Sequence, residues 1–367
     1  MSTSPLRLPQ PPVPARCRLR LPPAPAVCRL HLPPAPAARL LILISLLCCT
    51  VQLSAQTSVW TRQRSGTLAW IHAVFFLNQT RGWAGGSRGT LLTTTNGGKT
   101  WEATPPPSED VIRDIYFLDD QRGWLVCERN IYELKSVDDP RSYLMTTTDG
   151  GNHWTRVELR GADVDDRLAR ALFSRGGRAW AFGEGGAIYT SRDRGANWTR
   201  LPVPTRHVLL GGTFVDEDRG WLVGAGATIL QTADGGDTWH VSRLAEANNA
   251  RFTSASFVDN RLGWAVGTGG VIYRTINGGR TWTAQKSGVA TDLFDVRFLD
   301  AVEGWAVGAE GTVIHTVDGG LHWNAERTGT THPLERVFLV GRSHGWAVGF
   351  GGTIIAFTRI ESPQAAR

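Results

Sequence analysis

The sequence predicts an all-β protein, a seven-bladed β-propeller whose ring is closed by the N-terminal strand of the mature chain. Short alternating stretches typical of strands are separated by Gly and Asp turns, and no helical period runs through the chain. A Gly-Trp pair, once Ala-Trp, recurs at 82–83, 123–124, 179–180, 220–221, 263–264, 304–305 and 345–346. The resulting period of 41 to 43 residues, with one insertion, is typical of four-stranded propeller blades.

Each repeat contains the same elements in the same order. An alternating apolar stretch such as LFDVRFLD (293–300) precedes the Gly-Trp pair, and a Gly-rich hairpin and a β-branched run such as GTVIHT (311–316) follow it. Because neighbouring blades cover both faces of a blade, we expect one large apolar side chain per blade to build the core between blades. These residues stand six positions before the glycine: Phe76, Phe117, Phe173, Phe214, Phe257, Phe298 and Leu339.

A turn that ends on tryptophan closes six of the repeats, as in TTDGGNHW (147–154). We expect the Asp or Asn side chain to accept hydrogen bonds from its own hairpin, the glycine to adopt a positive φ, and the tryptophan to pack underneath. The pattern Ser/Thr-x-Asp/Asn-x-Gly-x-x-Trp resembles the Asp-box, or bacterial-neuraminidase, repeat. The structural box residues are Asn96, Trp101, Asp149, Trp154, Asp193, Trp198, Asp234, Trp239, Asn277, Trp282, Asp318 and Trp323.

The seventh repeat ends after its third strand, in GWAVGFGGTIIAFTR (345–359). The missing piece is found at the other end of the chain, where VWTRQRSG (59–66) matches TWTAQKSG (281–288) and places Trp60 in the position of a box tryptophan. We therefore expect the N-terminal strand of the mature chain to complete the last blade.

The positive charge of the chain lies in its N-terminal segment. The formal net charge is +6, with 39 Lys plus Arg against 33 Asp plus Glu, but residues 1–55 contain six arginines and no acidic residue. The remainder is neutral, so net charge gives no reason to expect a nucleic-acid partner.

The sequence divides into four segments. Residues 1–39 form a Pro- and Arg-rich extension of low complexity, which reflects either a start site placed too early or an organelle transit segment. Residues 40–55, with LLILISLLCCTV before Ala55, have the order of a secretory signal, to be cleaved after Ala55 or retained as an anchor. The propeller spans 56–360 and a tail spans 361–367. We expect export to the periplasm or the extracellular space, or to the thylakoid lumen in a photosynthetic host.

The candidate partner-binding residues lie where the first strands of the blades begin. Positions ten and nine before the glycine vary between repeats and combine arginines with carboxylates, while the core positions do not vary. The insertion around 128–144 falls in a loop at the same end of the channel. The candidates are Arg113, Asp114, Arg170, Arg251, Asp295, Glu335 and Arg336. The alternative is that these are solvated strand ends with weak local ion pairs.

No catalytic residue, metal site or cofactor is predicted. No box carries more than two acids, too few oxygen ligands for calcium, and the propeller segment has the single cysteine Cys127, with no zinc-type spacing. A glycoside hydrolase is the alternative, with Asp114 and Asp295 as its carboxylates, but these occupy repeats on opposite sides of the channel. The Arg-Ile-Pro motif of sialidases is absent.

The combination of a signal segment, seven GWAVG-type repeats and DGG-x-x-W closures resembles the photosystem II stability and assembly factor family of exported seven-bladed propellers. The resemblance covers about residues 56–360 and implies a non-enzymatic factor that holds a protein or peptide client, such as a membrane-protein subunit, on the exported side of a membrane. Relatives also occur without photosynthesis, and no client-binding residue is carried over. We expect a monomer. A cell-surface adhesion or sensor module is the third alternative.

Overall fold

Seven β-sheets, one for each sequence repeat, make up the part of the chain that the structure describes. The structure is a computed structural model and describes residues 59–359 except 131, 133, 135, 137–138, 175, 243 and 245–249. The predicted extension, signal region and C-terminal tail lie outside these residues. The seven sheets confirm the predicted seven-bladed β-propeller. Across the described ranges, no helix has the length and apolar character needed to cross a membrane.

The strands follow the sequence repeats closely. The first strand and blades 1 to 3 comprise β1 (Thr61–Gln63), β2 (Ile71–Phe76), β3 (Gly82–Gly86), β4 (Leu91–Thr94), β5 (Glu102–Ala103), β6 (Val111–Phe117), β7 (Gly123–Glu128), β8 (Ser142–Thr147), β9 (Thr155–Val157), β10 (Leu159–Arg160), β11 (Leu168–Phe173), β12 (Ala179–Gly183), β13 (Ile188–Ser191) and β14 (Trp198–Arg200). Blades 4 to 7 comprise β15 (Leu209–Phe214), β16 (Gly220–Gly224), β17 (Ile229–Thr232), β18 (His240–Val241), β19 (Phe252–Phe257), β20 (Gly263–Gly267), β21 (Ile272–Thr275), β22 (Thr283–Gln285), β23 (Leu293–Phe298), β24 (Gly304–Gly308), β25 (Val313–Thr316), β26 (Asn324–Ala325), β27 (Leu334–Val340), β28 (His344–Gly349) and β29 (Ile354–Thr358).

Most blades have four strands in simple up-and-down order. Blade 3 differs, because the short strand β10 adds to its outer edge in parallel with β14. In blade 7 the outer strand is β1, which pairs antiparallel with β29 and sets Thr61 opposite Ala356. The first strands of neighbouring blades contact one another, and those of blades 1 and 7 are also in contact.

Aromatic stacking between blades builds the core, as the sequence predicted. Phe298 of blade 6 lies flat against Trp264 of blade 5, with ring centroids 3.5 Å apart. The same stacking joins Phe76 to Trp346 across the junction of blades 1 and 7, also at 3.5 Å. In blade 7 the corresponding residue is Leu339, which packs against the cluster that contains Trp305. The large apolar residue of each blade thus packs against the Gly-Trp tryptophan of the preceding blade.

The glycine before six of the seven Gly-Trp tryptophans is required by this stacking. Blade 3 has Ala179 at this position, and its Phe173 is tilted by 37° against Trp124. A Cβ atom on Gly304 would lie 2.6 Å from the ring of Phe298, and one on Gly263 would lie 2.4 Å from Phe257. Real Cβ contacts do not come this close, so the recurring glycine leaves room for the aromatic ring of its own blade. The Gly-Trp repeat is therefore a packing motif.

Candidate functional site

The first strand of each blade lines the central channel. Because side chains alternate along a strand, positions nine and seven before the Gly-Trp glycine share one face. The row at position nine, here called the ionic layer, consists of Ala73, Asp114, Arg170, Gly211, Ser254, Asp295 and Arg336. The row at position seven, here called the aromatic layer, consists of Phe75, Tyr116, Leu172, Thr213, Ser256, Arg297 and Phe338. Members of both layers line a cavity of about 320 Å³.

A β-bulge interrupts every first strand beside the ionic layer. Pairing with the second strand shifts register between Ile112 and Asp114 and between Leu334 and Arg336, with the same shift in the other blades. The residue skipped by the shift is the one ten positions before the glycine, such as Arg113 or Glu335. A bulge leaves this residue outside the ladder and redirects its side chain. Side chains at positions ten and nine before the glycine can therefore both lie at the end of the channel where the first strands begin. This end is here called the strand-start end.

Arg170 and Asp295 form a buried ion pair across the channel. Both Nη atoms of Arg170 donate to Oδ1 of Asp295 at 3.2 Å. Asp295 also accepts from the Ser254 hydroxyl at 2.6 Å and from the backbone N–H of Val337 at 3.1 Å. Arg170 is 2% exposed and Asp295 is fully buried. The predicted surface role of these two side chains is therefore corrected, because their pairing across the channel withdraws both from the surface.

Burial and neighbouring charges shift the pKa values of Asp295 and of the nearby Arg336. Burial acts to raise the pKa of Asp295, but the positive charges of Arg170, Arg297 and Arg336 lower it to about 2. Burial and the neighbouring charge of Arg170 lower the pKa of Arg336 to about 10. At neutral pH Asp295 is thus ionised and Arg336 is charged.

Asp114 of the ionic layer is a connector between blades. Its Oδ2 accepts from the backbone N–H of Ala171 in blade 3 at 3.0 Å, and its Oδ1 accepts from the N–H of Ile115 at 3.1 Å. Asp295 makes the equivalent bond from blade 6 to blade 7 through Val337. Both carboxylates therefore join neighbouring blades.

Arg113 lies on the strand-start end in a chain of alternating charges. Its Nε donates to Glu128, which also accepts from Arg167, and Arg167 reaches Glu184 at 3.3 Å. Burial opposes ionisation of Glu128, but hydrogen bonds and charges from Arg113 and Arg167 bring its pKa below the usual value. The side chain of Arg113 is 34% exposed, so it remains accessible.

The other predicted candidates are more open. Arg251 is exposed, and Glu335 and Arg336 are half-buried. Arg336 donates from Nη1 to the backbone oxygen of Glu335 at 3.2 Å. The candidate set thus divides into a buried ion pair, an inter-blade connector and four accessible residues.

An aromatic cluster at the strand-start end was missed in the sequence. Trp70 stacks on His72 with centroids 5.3 Å apart, and Phe350 meets Trp70 edge-on at 5.2 Å. Phe350 is 46% exposed, and the nearby connection from β1 to β2 carries Leu68, which is 87% exposed. Burial, followed by the charges of Arg113 and Arg336, lowers the pKa of His72 to about 3. Phe350 could have indicated this cluster in the sequence. It is a large aromatic residue at a hairpin position where other blades have small or polar residues, such as Ser87 and Thr268.

The box turns lie at the opposite end of the blades, here called the box end. In the second box, Oδ1 of Asp149 accepts from the backbone N–H of His153 at 2.9 Å, and the Thr147 hydroxyl accepts from the N–H of Gly151 at 3.0 Å. Gly151 has a φ of 96°, and the indole of Trp154 donates to its carbonyl at 3.0 Å. The carboxylate is thus occupied by its own hairpin. The same pattern holds Asn96, Asp193, Asp234, Asn277 and Asp318.

The repeats that build these blades match a known family. A family model described as photosynthesis system II assembly factor YCF48 matches residues 105–207, 201–289 and 280–358. Together these segments span more than half of the chain. This chain belongs to the YCF48 family.

Curated YCF48 relatives match this chain over limited stretches. The photosystem II assembly protein Ycf48 of Thermosynechococcus vestitus is 40% identical over 60 residues, 16% of this chain and 17% of the relative. The protein of the same name from Synechococcus sp. (strain JA-3-3Ab) is 30% identical over 170 residues, 45% of this chain and 47% of the relative. In these matches the chain spans less than half the length of its relatives.

Solved structures share the fold over most of the chain. YCF48 from Cyanidioschyzon merolae matches with a TM-score of 0.65 at 20% identity, covering 82% of this chain and 98% of that one. A structure of YCF48 bound to D1 peptide matches with a TM-score of 0.67 at 21% identity, covering 82% and 97%. A xyloglucanase from Xanthomonas campestris matches with a TM-score of 0.62 at 13% identity, covering 82% and 53%. At these identities the likeness concerns the fold alone.

Proposed function

We propose that this chain is a non-enzymatic assembly factor that binds a protein or peptide client at the strand-start end. The observation that carries the proposal is the grouping of accessible apolar and charged side chains there. Leu68 and Phe350 are exposed, and Arg113 lies close enough to His72 to depress its pKa. Exposed aromatic and arginine side chains are the residue types enriched at protein interfaces.

The exposure of the candidate side chains decides which of them we propose to contact the client. Arg113, Arg251, Glu335 and Arg336 can reach a partner, and the aromatic cluster supplies apolar area beside them. Arg170, Asp114 and Asp295 support the site from within the channel. This assignment retains four of the predicted candidates as binding residues and gives three a supporting role.

The channel carboxylates are poorly suited to glycoside hydrolysis. A general acid for that reaction needs a raised pKa and access to the glycosidic oxygen. Asp295 has the opposite properties, because it is fully buried and its pKa is about 2. Arg170 is paired with Asp295, so this arginine of the channel is already engaged by a carboxylate of the protein. These features favour binding over catalysis.

The client is proposed as a peptide segment of a membrane-protein subunit. A structure of YCF48 carries a D1 peptide, and relatives in Synechococcus sp. (strain CC9902) and Trichormus variabilis are named photosystem II assembly lipoproteins. We propose by analogy that this chain acts after export, close to a membrane. In a photosynthetic host this place is the thylakoid lumen, and in other bacteria it is the periplasm.

Site-specific photo-crosslinking in the native cells tests the proposal. A photoreactive amino acid replaces Leu68 at the strand-start end or Leu321, 64% exposed, at the box end. We expect a discrete adduct with a membrane-protein segment from position 68 alone, and its loss when Arg113→Ala and Phe350→Ser are combined in the same chain. Equal adducts from both positions, or none from position 68, would contradict the proposal.

A further inference from the structure

The channel cavity combines an excess of positive charge with an aromatic wall. Its charged lining consists of three arginines, Arg170, Arg297 and Arg336, against the two carboxylates Asp114 and Asp295. All three arginines act on the pKa of Asp295, so they surround the same carboxylate. The lining thus holds one more arginine than carboxylates.

The carboxylate oxygens of the lining are largely committed. Oδ1 of Asp295 accepts from both Nη atoms of Arg170 and from Ser254, and Oδ2 accepts from the backbone of Val337. Asp114 accepts from two backbone N–H groups. None of these hydrogen bonds comes from Arg297 or Arg336.

Arg297 and Arg336 are the groups left without a carboxylate. Arg336 donates to a neutral backbone oxygen, and its Nε is buried without a partner in the structure. Among the described residues, no hydrogen bond or ion pair engages the guanidinium of Arg297. A guanidinium presents donors in a planar fork that matches a carboxylate. Two such groups in one cavity form a site for that anion.

The aromatic side chains of the aromatic layer indicate that the ligand also carries an aromatic ring. Phe75 meets Tyr116 and Phe338 edge-on, both with ring centroids 5.1 Å apart. The cavity of about 320 Å³ is roughly twice the ~150 Å³ of an apolar protein cavity that holds benzene. It therefore has room for one ring and a carboxylate, and edge-on or stacked contacts with the wall would stabilise the ring.

We propose that the channel cavity binds a small aromatic carboxylate, with its carboxylate on Arg297 and Arg336 and its ring against Phe75 and Phe338. The ligand is a free small molecule. Its site shares Arg336 with the proposed client surface, but its binding is measured without the client. It assigns a role to two arginines that form no ion pair with a carboxylate among the described residues.

Ligand titration of the full chain tests the chemistry without any substitution. Phenylacetate is the probe, phenylacetamide lacks the charge, and acetate lacks the ring. Saturation-transfer NMR and calorimetry should give a Kd for phenylacetate at least about tenfold below those of the two analogues, as expected for loss of a charged hydrogen bond or of the ring contact. Equal affinity for phenylacetate and either analogue, or no binding of phenylacetate, would overturn the proposal.

Two matched variants locate the site. Arg297→Gln leaves Asp295 paired with Arg170, so the fold should remain intact, and we expect phenylacetate binding to weaken about tenfold or more. Arg62→Gln removes an exposed arginine outside the cavity lining and should leave the Kd unchanged. An unchanged Kd in Arg297→Gln, with the melting temperature of the parent protein, would show that the cavity is not the site.

Discussion

Phe298 is held between two tryptophans, with its ring parallel to Trp264 of the preceding blade and perpendicular to Trp323 of its own box. The centroid distances are 3.5 Å and 5.7 Å. The box tryptophan and the Gly-Trp tryptophan are thus connected through one phenylalanine. This arrangement explains why the two motifs recur together along the chain.

Replacing Phe298 by alanine should destabilise the propeller strongly. The substitution leaves a cavity between two blades, and burial of a phenylalanine of this kind is worth about 3–5 kcal/mol in the free energy of unfolding. Urea unfolding followed by tryptophan fluorescence measures the loss. The control is Leu321→Ala at an exposed box position, which should change stability by less than about 0.5 kcal/mol. Similar losses in both variants would show that the stacking contributes little.

Arg170→Met should destabilise the protein because it leaves Asp295 charged and buried. Loss of one member of a buried ion pair costs about 3–5 kcal/mol. In the parent protein Asp295 has a depressed pKa, so its stabilising contribution is present above the unfolded value of 3.8 and is lost as pH falls toward about 2. In the variant, Arg170 no longer opposes the effect of burial on the pKa of Asp295, so the protonated form of Asp295 is favoured. The stability difference between parent and variant should therefore shrink on acidification from pH 7 to pH 4.

Chemical unfolding at several pH values checks this prediction. Arg251→Met provides the control, because Arg251 is exposed, and its stability should follow the parent at every pH. A difference between Arg170→Met and the parent that stays constant from pH 7 to pH 4 would argue against an uncompensated Asp295.

His315 should contribute a pH-dependent part of the stability. Burial opposes its charge, but hydrogen bonds to Glu303 and Glu326, at 3.2 Å and 3.3 Å, raise its pKa above 6.5. A raised pKa in the folded state means that the contribution is complete below pH 6.5 and is lost as pH rises through the folded value. We expect the parent protein to lose stability relative to His315→Gln over this window.

The matched control is His207→Gln, since His207 is exposed. Its unfolding free energy should run parallel to that of the parent from pH 6 to pH 8.5. If His315→Gln also runs parallel to the parent, the histidine is neutral in the folded protein and the charged bridge to the two glutamates is absent.

The repeat made the fold predictable, because one spacing determines the four repeated strands of the blades and their core positions. Phe76, Phe298 and the other residues six positions before the glycine could be assigned from the sequence for this reason. The site was less predictable. A bulge adds one residue without leaving a pattern, so the orientations of Arg113 and Asp114 could not be read from alternation.

Contacts across the channel are the second feature that could not be predicted from the sequence. Arg170 in blade 3 pairs with Asp295 in blade 6, which is 125 residues away. A one-dimensional period gives the height of each side chain in the channel but does not say which side chains meet across it. Burial of this pair therefore required the three-dimensional structure. The short strand β10 was also missed, because it lies in the connection after box 2 and belongs to no repeat.

Trp60→Ala should weaken the junction between β1 and β29. Trp60 is 4% exposed, its ring meets Phe357 edge-on at 4.8 Å, and its indole donates to Glu326 of blade 6. Loss of a buried tryptophan costs about 3–5 kcal/mol in unfolding free energy. Arg62→Ala, in the same strand but exposed, should cost far less. A larger change tests the closure itself, since deletion of residues 56–66 should abolish soluble folding. A stable monomer after this deletion would mean that the other strands hold the ring without β1.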